Sequence, residues 1–214
     1  MIAWIKSLIM RNKILRILAI PISLLKKIYI ISIKKGHLKS YIHYQSIDRK
    51  NNPLPWYTYS SIDYLSSLDF RNSLVFEFGS GNSSFWWSKR VKKLVSVEDN
   101  YAWFNLVKGK ISENQKLIFA RSKEEYLDSL KEMTNKFDVI IVDGNYRLEC
   151  CEIAITKIEN NGIIILDNSD VERKSVEFLK TANYSQIFFT GFAPIVDHIS
   201  ETSLFIKTPI YKKV

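Results

Sequence analysis

The chain has 214 residues, 46% hydrophobic and 25% charged, a composition that fits a folded domain with a full core and excludes a disordered or fibrous chain. The net charge is +9, and the excess lies before Asp48: nine lysines and arginines between Lys6 and Lys39 meet no acidic residue, while the other 22 basic residues match 22 acidic ones. The two cysteines, Cys150 and Cys151, are adjacent, which argues against a disulfide framework or a thiolate metal cluster and suits a reducing compartment.

Residues 1–50 read as a basic amphipathic helical arm and residues 51–214 as the main domain, with NNPLPW at the boundary. Trp4, Ile5, Leu8, Ile9, Leu15 and Leu18 recur at roughly helical spacing. Pro21 is expected to end or kink the first helix, and a second apolar helix to run to about Ile33. The charge-free run Ile17 to Leu25 is too short to cross a bilayer, and no small-residue cleavage site marks a signal peptide. Such an arm can lie on an anionic membrane surface through residues 1–35, or pack on the main domain or on a second copy, which leaves the oligomeric state open. The expected location is cytoplasmic, peripheral at the inner membrane face if the arm binds lipid. No nucleic-acid motif accompanies the charge, so a nucleic-acid partner is not expected.

The body alternates. Helix-like SSIDYLSSL, SSFWWSKRV, YAWFNLVKGKI, SKEEYLDSLKEM, RLECCEIAITKIE and VERKSVEFLKTA are interleaved with strand-like SLVFEF, KLVSVE, KLIFA, FDVIIVD and GIIILD. SQIFFTG and TSLFIK close the chain with no helix between them, as an antiparallel hairpin would. This order predicts an α/β fold with a parallel sheet covered on both faces, and VIIV and IIIL are apolar on both sides, as doubly covered strands should be.

The first strand–turn–helix of the body is LVFEFGSGNSSFWW. Gly79 and Gly81 allow a sharp turn and a close approach to a ligand at the carboxyl end of a strand. A dinucleotide loop would carry a third glycine where Ser83 and Ser84 stand, and Glu77 beside a pyrophosphate would be repulsive. A carboxylate there suits a cationic ligand, or else forms a salt bridge or meets a helix dipole. Glu98 ends the next strand, where a carboxylate can accept from both ribose hydroxyls or be an ordinary strand-end charge. Trp86 and Trp87 read as packing residues, with an aromatic shelf for adenine as the alternative.

VFEFGSG, VSVE, FDVIIVDG and GIIILDN resemble the successive motifs of class I S-adenosylmethionine-dependent methyltransferases, over about residues 53–207. PLPWYTYSSIDYL, FEFGSGNSSFWW, VDGNYR and LDNS also resemble a group of bacterial methyltransferase-like proteins of undefined substrate. The resemblance implies a Rossmann-like, mostly parallel seven-stranded sheet with an antiparallel last strand and helices on both faces. It implies S-adenosylmethionine as cofactor and a small-molecule or glycan-type acceptor. By motif, Glu77, Gly79, Ser80, Gly81 and Ser83 would line the methionine end of the cofactor, Glu98 would take the ribose with Asp99 beside it, and Ser122 would lie near adenine.

Asp143 ends the fourth strand, and Asp167 and Asn168 end the fifth. These are hard ligands suited to Mg²⁺ or Ca²⁺, and cation-dependent O-methyltransferases carry a similar set; Asn168 can equally start the following helix. Asp143 and Arg147 are candidate catalytic residues, Arg147 either binding an acidic group of the acceptor or pairing with Asp143. His198, in the loop between the last two strands, is a candidate general base or else an ordinary surface histidine. Tyr57, Thr58 and Tyr59 form a lid or simply join arm to body. Two further readings are a non-catalytic membrane-associated binding protein with this fold, and a nicotinamide-dependent oxidoreductase, which Glu77 and the missing glycine oppose.

Overall fold

The computed structural model describes Ser7 and residues 11–207; Trp4, Ile5, Leu8 and Ile9 of the expected first helix lie outside the described residues. Helix α1, Lys13–Tyr29, starts where Asn12 Oδ1 accepts from the Ile14 and Leu15 amides at 2.9 and 3.3 Å. Pro21 sits inside this helix rather than ending it. Proline removes one donor and crowds the carbonyl four residues back. No residue of α1 is buried, so the freed carbonyl can stay hydrated and the helix continues. In place of a second apolar helix, a π-helical turn, Ile30–Lys34, extends the first, closed by Lys35 N to Ile30 O at 3.0 Å.

A short helix α2, His37–His43, is tied to the chain downstream of it: Ser40 Oγ donates to Ile47 O at 2.6 Å, and Asn82 Nδ2 donates to Ser46 O at 2.7 Å. The chain therefore packs on the body before Asn51. Helix α3, Tyr59–Ser66, then leads into the sheet.

The strands are β1 Leu74–Phe78, β2 Lys93–Glu98, β3 Gln115–Phe119, β4 Phe137–Val142, β5 Ile158–Asp167, β6 Tyr184–Phe192 and β7 Ile199–Lys207. They lie in the order β3-β2-β1-β4-β5-β7-β6. β1 to β5 pair in parallel, and β7 runs antiparallel to both β5 and β6, so β7 alone among the described strands is reversed. The connecting helices are α4 Asn82–Ser88, α5 Tyr101–Lys108, α6 Lys123–Lys131, α7 Arg147–Lys157 and α8 Arg173–Thr181. This is the expected Rossmann-like sheet. Helix α7 stops at Lys157, because Ile158 is already buried and paired with Phe137; a register shift between Phe137 and Val139 then lets Ile163 resume the ladder.

Side chains alternate across the sheet. On one face Phe76, Phe78, Ile140 and Val142 pack with Tyr126, Leu130, Cys150 and Cys151 from α6 and α7. On the other, Val75, Ile141 and Ile165 meet Ile62 and Leu65 of α3 and Trp86 and Trp87 of α4. The two tryptophans, 2% and 0% exposed, meet edge to face at 5.0 Å, so they are core residues. Both cysteines are buried free thiols, and burial pushes Cys151 up to about 12.

Candidate active site

β1 pairs with β2 on one side and β4 on the other, so the strand order reverses between the carboxyl ends of β1 and β4. A cavity of about 320 Å³ opens there, in the size range of ligand clefts. Its floor is two loop backbones in contact. Asp143 N donates to Phe78 O at 3.1 Å, and Gly79 N to Val97 O at 2.9 Å. Gly79 has φ 93°, and a Cβ on it would lie 2.7 Å from Asp143 O. A Cβ on Gly144 would lie 2.1 Å from Tyr126 Oη and 3.0 Å from Gly79 N. The left-handed φ and the close carbonyl at Gly79 require glycine, and a Cβ on Gly144 would push on the Tyr126 hydroxyl, so the two glycines let the loop backbones touch.

Glu98 forms the wall, only 7% exposed. Ser80 Oγ donates to its Oε2 and the Asn100 amide to its Oε1, each at 2.9 Å. Burial raises its pKa. Each carboxylate oxygen can accept a further bond, so a ligand diol would be held here. Across the mouth, Asn145 Nδ2 donates to Asp99 Oδ2 at 2.8 Å. From α5, Trp103 Nε1 donates to Ser80 O at 2.7 Å, holding the glycine loop down. Trp103, Asn100 and Tyr126 carry no motif signal in the sequence; Asn145 lies inside VDGNYR, but nothing in that motif singles it out.

Glu77 is not on the cavity. It is 1% exposed beneath the loop: Ser83 Oγ donates to Oε1 at 2.5 Å, and Ser84 and Ser96 donate to Oε2 at 2.5 and 2.7 Å. Gly81 and Ser83 likewise lie outside the lining; Gly81 N donates to Ser84 Oγ at 3.0 Å and opens α4. Glu77, Gly81 and Ser83 thus shape the turn from below, because the β1 register places Glu77 opposite Ser96. Ser122 is exposed and caps α6, accepting from Glu125 N at 3.2 Å, away from the cavity.

Asp143 and Arg147 both line the cavity. Arg147 Nε donates to Gly144 O at 2.9 Å, and Nη1 donates to Asp167 O at 2.6 Å and Asn168 Oδ1 at 3.0 Å. Its Nη2 lies 3.5 Å from Asp143 Oδ1. The guanidinium therefore sits amid the donors expected to hold a metal. Asp167 accepts Thr202 Oγ1 at 2.6 Å, toward β7. Among the described residues no cluster of three histidine, cysteine or acidic side chains could hold an ion. These residues do not fit Mg²⁺; the arginine supplies the positive charge instead. Burial raises Asp143 and Asp167, and Asp143 raises Asp167 further, while Arg147 pulls both down. Asn168 does not cap α8: it has φ 51° and heads a turn, accepting from Val171 and Glu172, before the helix starts at Arg173.

His198 lies at the correct end of the sheet but outside the lining, its side chain 68% exposed and 3.3 Å from Asp197. Tyr57, Thr58 and Tyr59 are buried rather than a lid; the Thr58 amide donates to Thr202 Oγ1 at 3.0 Å and its hydroxyl to Phe189 O at 3.1 Å.

Sheet order, the reversed β7 and a cavity between glycine loop and strand-end glutamate together define the class I S-adenosylmethionine-dependent methyltransferase fold. Solved structures agree. An O-methyltransferase from Bacillus cereus, in complex with S-adenosylhomocysteine, superposes with TM-score 0.64 at 13% identity, over 84% of this chain and 96% of its own. An O-methyltransferase of tomaymycin synthesis from Streptomyces achromogenes, in complex with S-adenosylmethionine, gives 0.55 at 17% identity, over 64% and 74%. An rRNA methylase from Streptococcus thermophilus gives 0.55 at 16%, over 69% and 94%. At these identities the likeness is one of fold. No protein-family model and no curated protein matches the sequence.

Proposed function

We propose that the protein transfers a methyl group from S-adenosylmethionine to a small-molecule or glycan-type acceptor. The observation that carries this is Glu98, a buried carboxylate with free acceptor capacity at the switch point, beside a floor where Gly79 lets two loop backbones touch. Glu98, Asp99 and Asp143 face the cavity against one cation, Arg147. An acidic lining disfavours a pyrophosphate and favours a ligand bearing an ammonium and a sulfonium, which opposes a nicotinamide cofactor.

The cofactor would supply an activated methyl on sulfur. The chain's own part is alignment: Gly79 and Ser80 let the backbone close on the ligand, Glu98 fixes the ribose, and the Asn145–Asp99 bridge bounds the mouth. Orientation alone can remove roughly 7–11 kcal/mol of barrier. Asp143 is the base for an acceptor that must lose a proton, its carboxylate held in place by Arg147.

Isothermal calorimetry with S-adenosylhomocysteine tests this. Binding is expected, and Glu98→Ala should weaken it by roughly 10- to 100-fold, the loss of one or two charge-assisted hydrogen bonds. Binding of NADH with no response to S-adenosylhomocysteine would overturn the proposal.

A further inference from the structure

We infer that α1 docks the protein on an anionic lipid surface, lying in the plane of the interface. At about 100° per residue, Ile14, Ile17, Leu18, Leu25 and Ile28 fall on one face of α1, and Arg16, Ser23 and Lys27 on the other. Lys13 borders one edge of the apolar face and Lys26 the opposite edge. The apolar face stands open: Ile14 is 68% exposed, Leu18 67% and Leu25 65%. Long basic side chains at both borders can bury their stems along the apolar surface while their charges reach headgroups.

The charge selects lipid over a second copy of the chain. Residues 1–47 hold nine basic side chains and no acid, so two such helices packed together would oppose like charges along both edges. An anionic bilayer complements them. The helix lies on the surface rather than across it, since no helix among the described residues is long and apolar enough to span. The arm also has a defined exit from the body. Lys35 Nζ pairs with Asp63 at 2.5 Å, and the His37 ring lies 6.0 Å from Tyr59 and 6.3 Å from Phe192. Phe192 ends β6, which runs parallel to β5, so α1 leaves from the end of the sheet that carries the cavity.

The test is co-sedimentation of the full chain with vesicles of phosphatidylcholine alone or mixed with phosphatidylglycerol. The mixed vesicles should bind it at least tenfold more tightly, with the difference shrinking as salt is added. Lys13→Gln/Lys26→Gln should weaken that binding by roughly 25-fold, about fivefold per charge. Leu18→Asp/Leu25→Asp should abolish it. Both changes fall on exposed side chains, and unchanged thermal melting would confirm an intact body. Equal binding to both vesicle types would overturn the inference, as would no binding at all. A dimer in sedimentation equilibrium that Leu18→Asp/Leu25→Asp dissociates, without vesicle binding, would assign the face to a second copy.

Discussion

Both carboxylate oxygens of Glu77 are taken by serine hydroxyls, and this fixes what the residue does. It ties β1 to β2 through Ser96 and to α4 through Ser83 and Ser84, under the turn that forms the cavity floor. Burial lifts its pKa from 4.5 to about 7, against the three hydroxyl bonds, which lower it. An acid whose pKa is raised on folding holds its proton more tightly in the native chain. Its contribution is therefore fully present below pH 4.5 and is lost as pH rises through about 7. That interval corresponds to roughly 3 kcal/mol. Urea unfolding at the two ends of this range should show wild-type stability falling with pH by about 2–3 kcal/mol more than Glu77→Gln. Equal slopes for the two proteins would show that Glu77 does not titrate there. The acidic residue that makes the cavity attractive to a cation is then Glu98, with Asp99 and Asp143, and not Glu77.

The glycine loop is a shared product of three elements: β1 leads into it, α4 comes after it, and α5 holds it through Trp103. Trp103→Phe keeps an aromatic ring near Gly81 but removes the Nε1–H that reaches Ser80 O. S-adenosylhomocysteine affinity should fall by roughly five- to tenfold, the worth of about one hydrogen bond. The melting temperature should change little, because Trp103 is 46% exposed. Unchanged affinity in calorimetry would mean that the latch does not position the loop. This element-level arrangement was only partly legible in the sequence. VIIV and IIIL announce strands buried on both faces, and Glu98 at the end of VSVE announces a strand-end carboxylate. Trp103 to Ser80 spans 23 residues and Asn145 to Asp99 spans 46, so those contacts exist only once the crossovers place α5 and the β4 loop beside β1. The metal expectation failed for a related reason. Asp143, Asp167 and Asn168 do converge at neighbouring strand ends, but Arg147, at the start of α7, folds back between them.

At the scale of the whole molecule, a body with equal formal numbers of basic and acidic residues beyond residue 47 carries an arm that holds the entire charge excess. The two parts differ as sharply in packing. Ile140 and Ile141 of β4 are fully buried at the sheet centre, whereas α1 has no buried residue. A 17-residue helix with internal Pro21 and several β-branched isoleucines has little intrinsic stability in water, since most helical stability comes from packing an apolar face. Native-state hydrogen exchange should therefore find α1 amides opening with a free energy near zero, while those of β4 exchange only through global unfolding. If the apolar face of α1 is the lipid-binding surface, anionic vesicles should slow exchange across Lys13–Tyr29 at least tenfold and leave β4 unchanged. Protection of α1 equal to that of β4 without vesicles would mean that another surface already covers the face in solution. Slowing in neutral vesicles as large as in anionic ones would remove charge from the account. The contrast between α1 and β4 within one sample makes the body its own control, so loss of the arm's signal cannot be mistaken for loss of the fold.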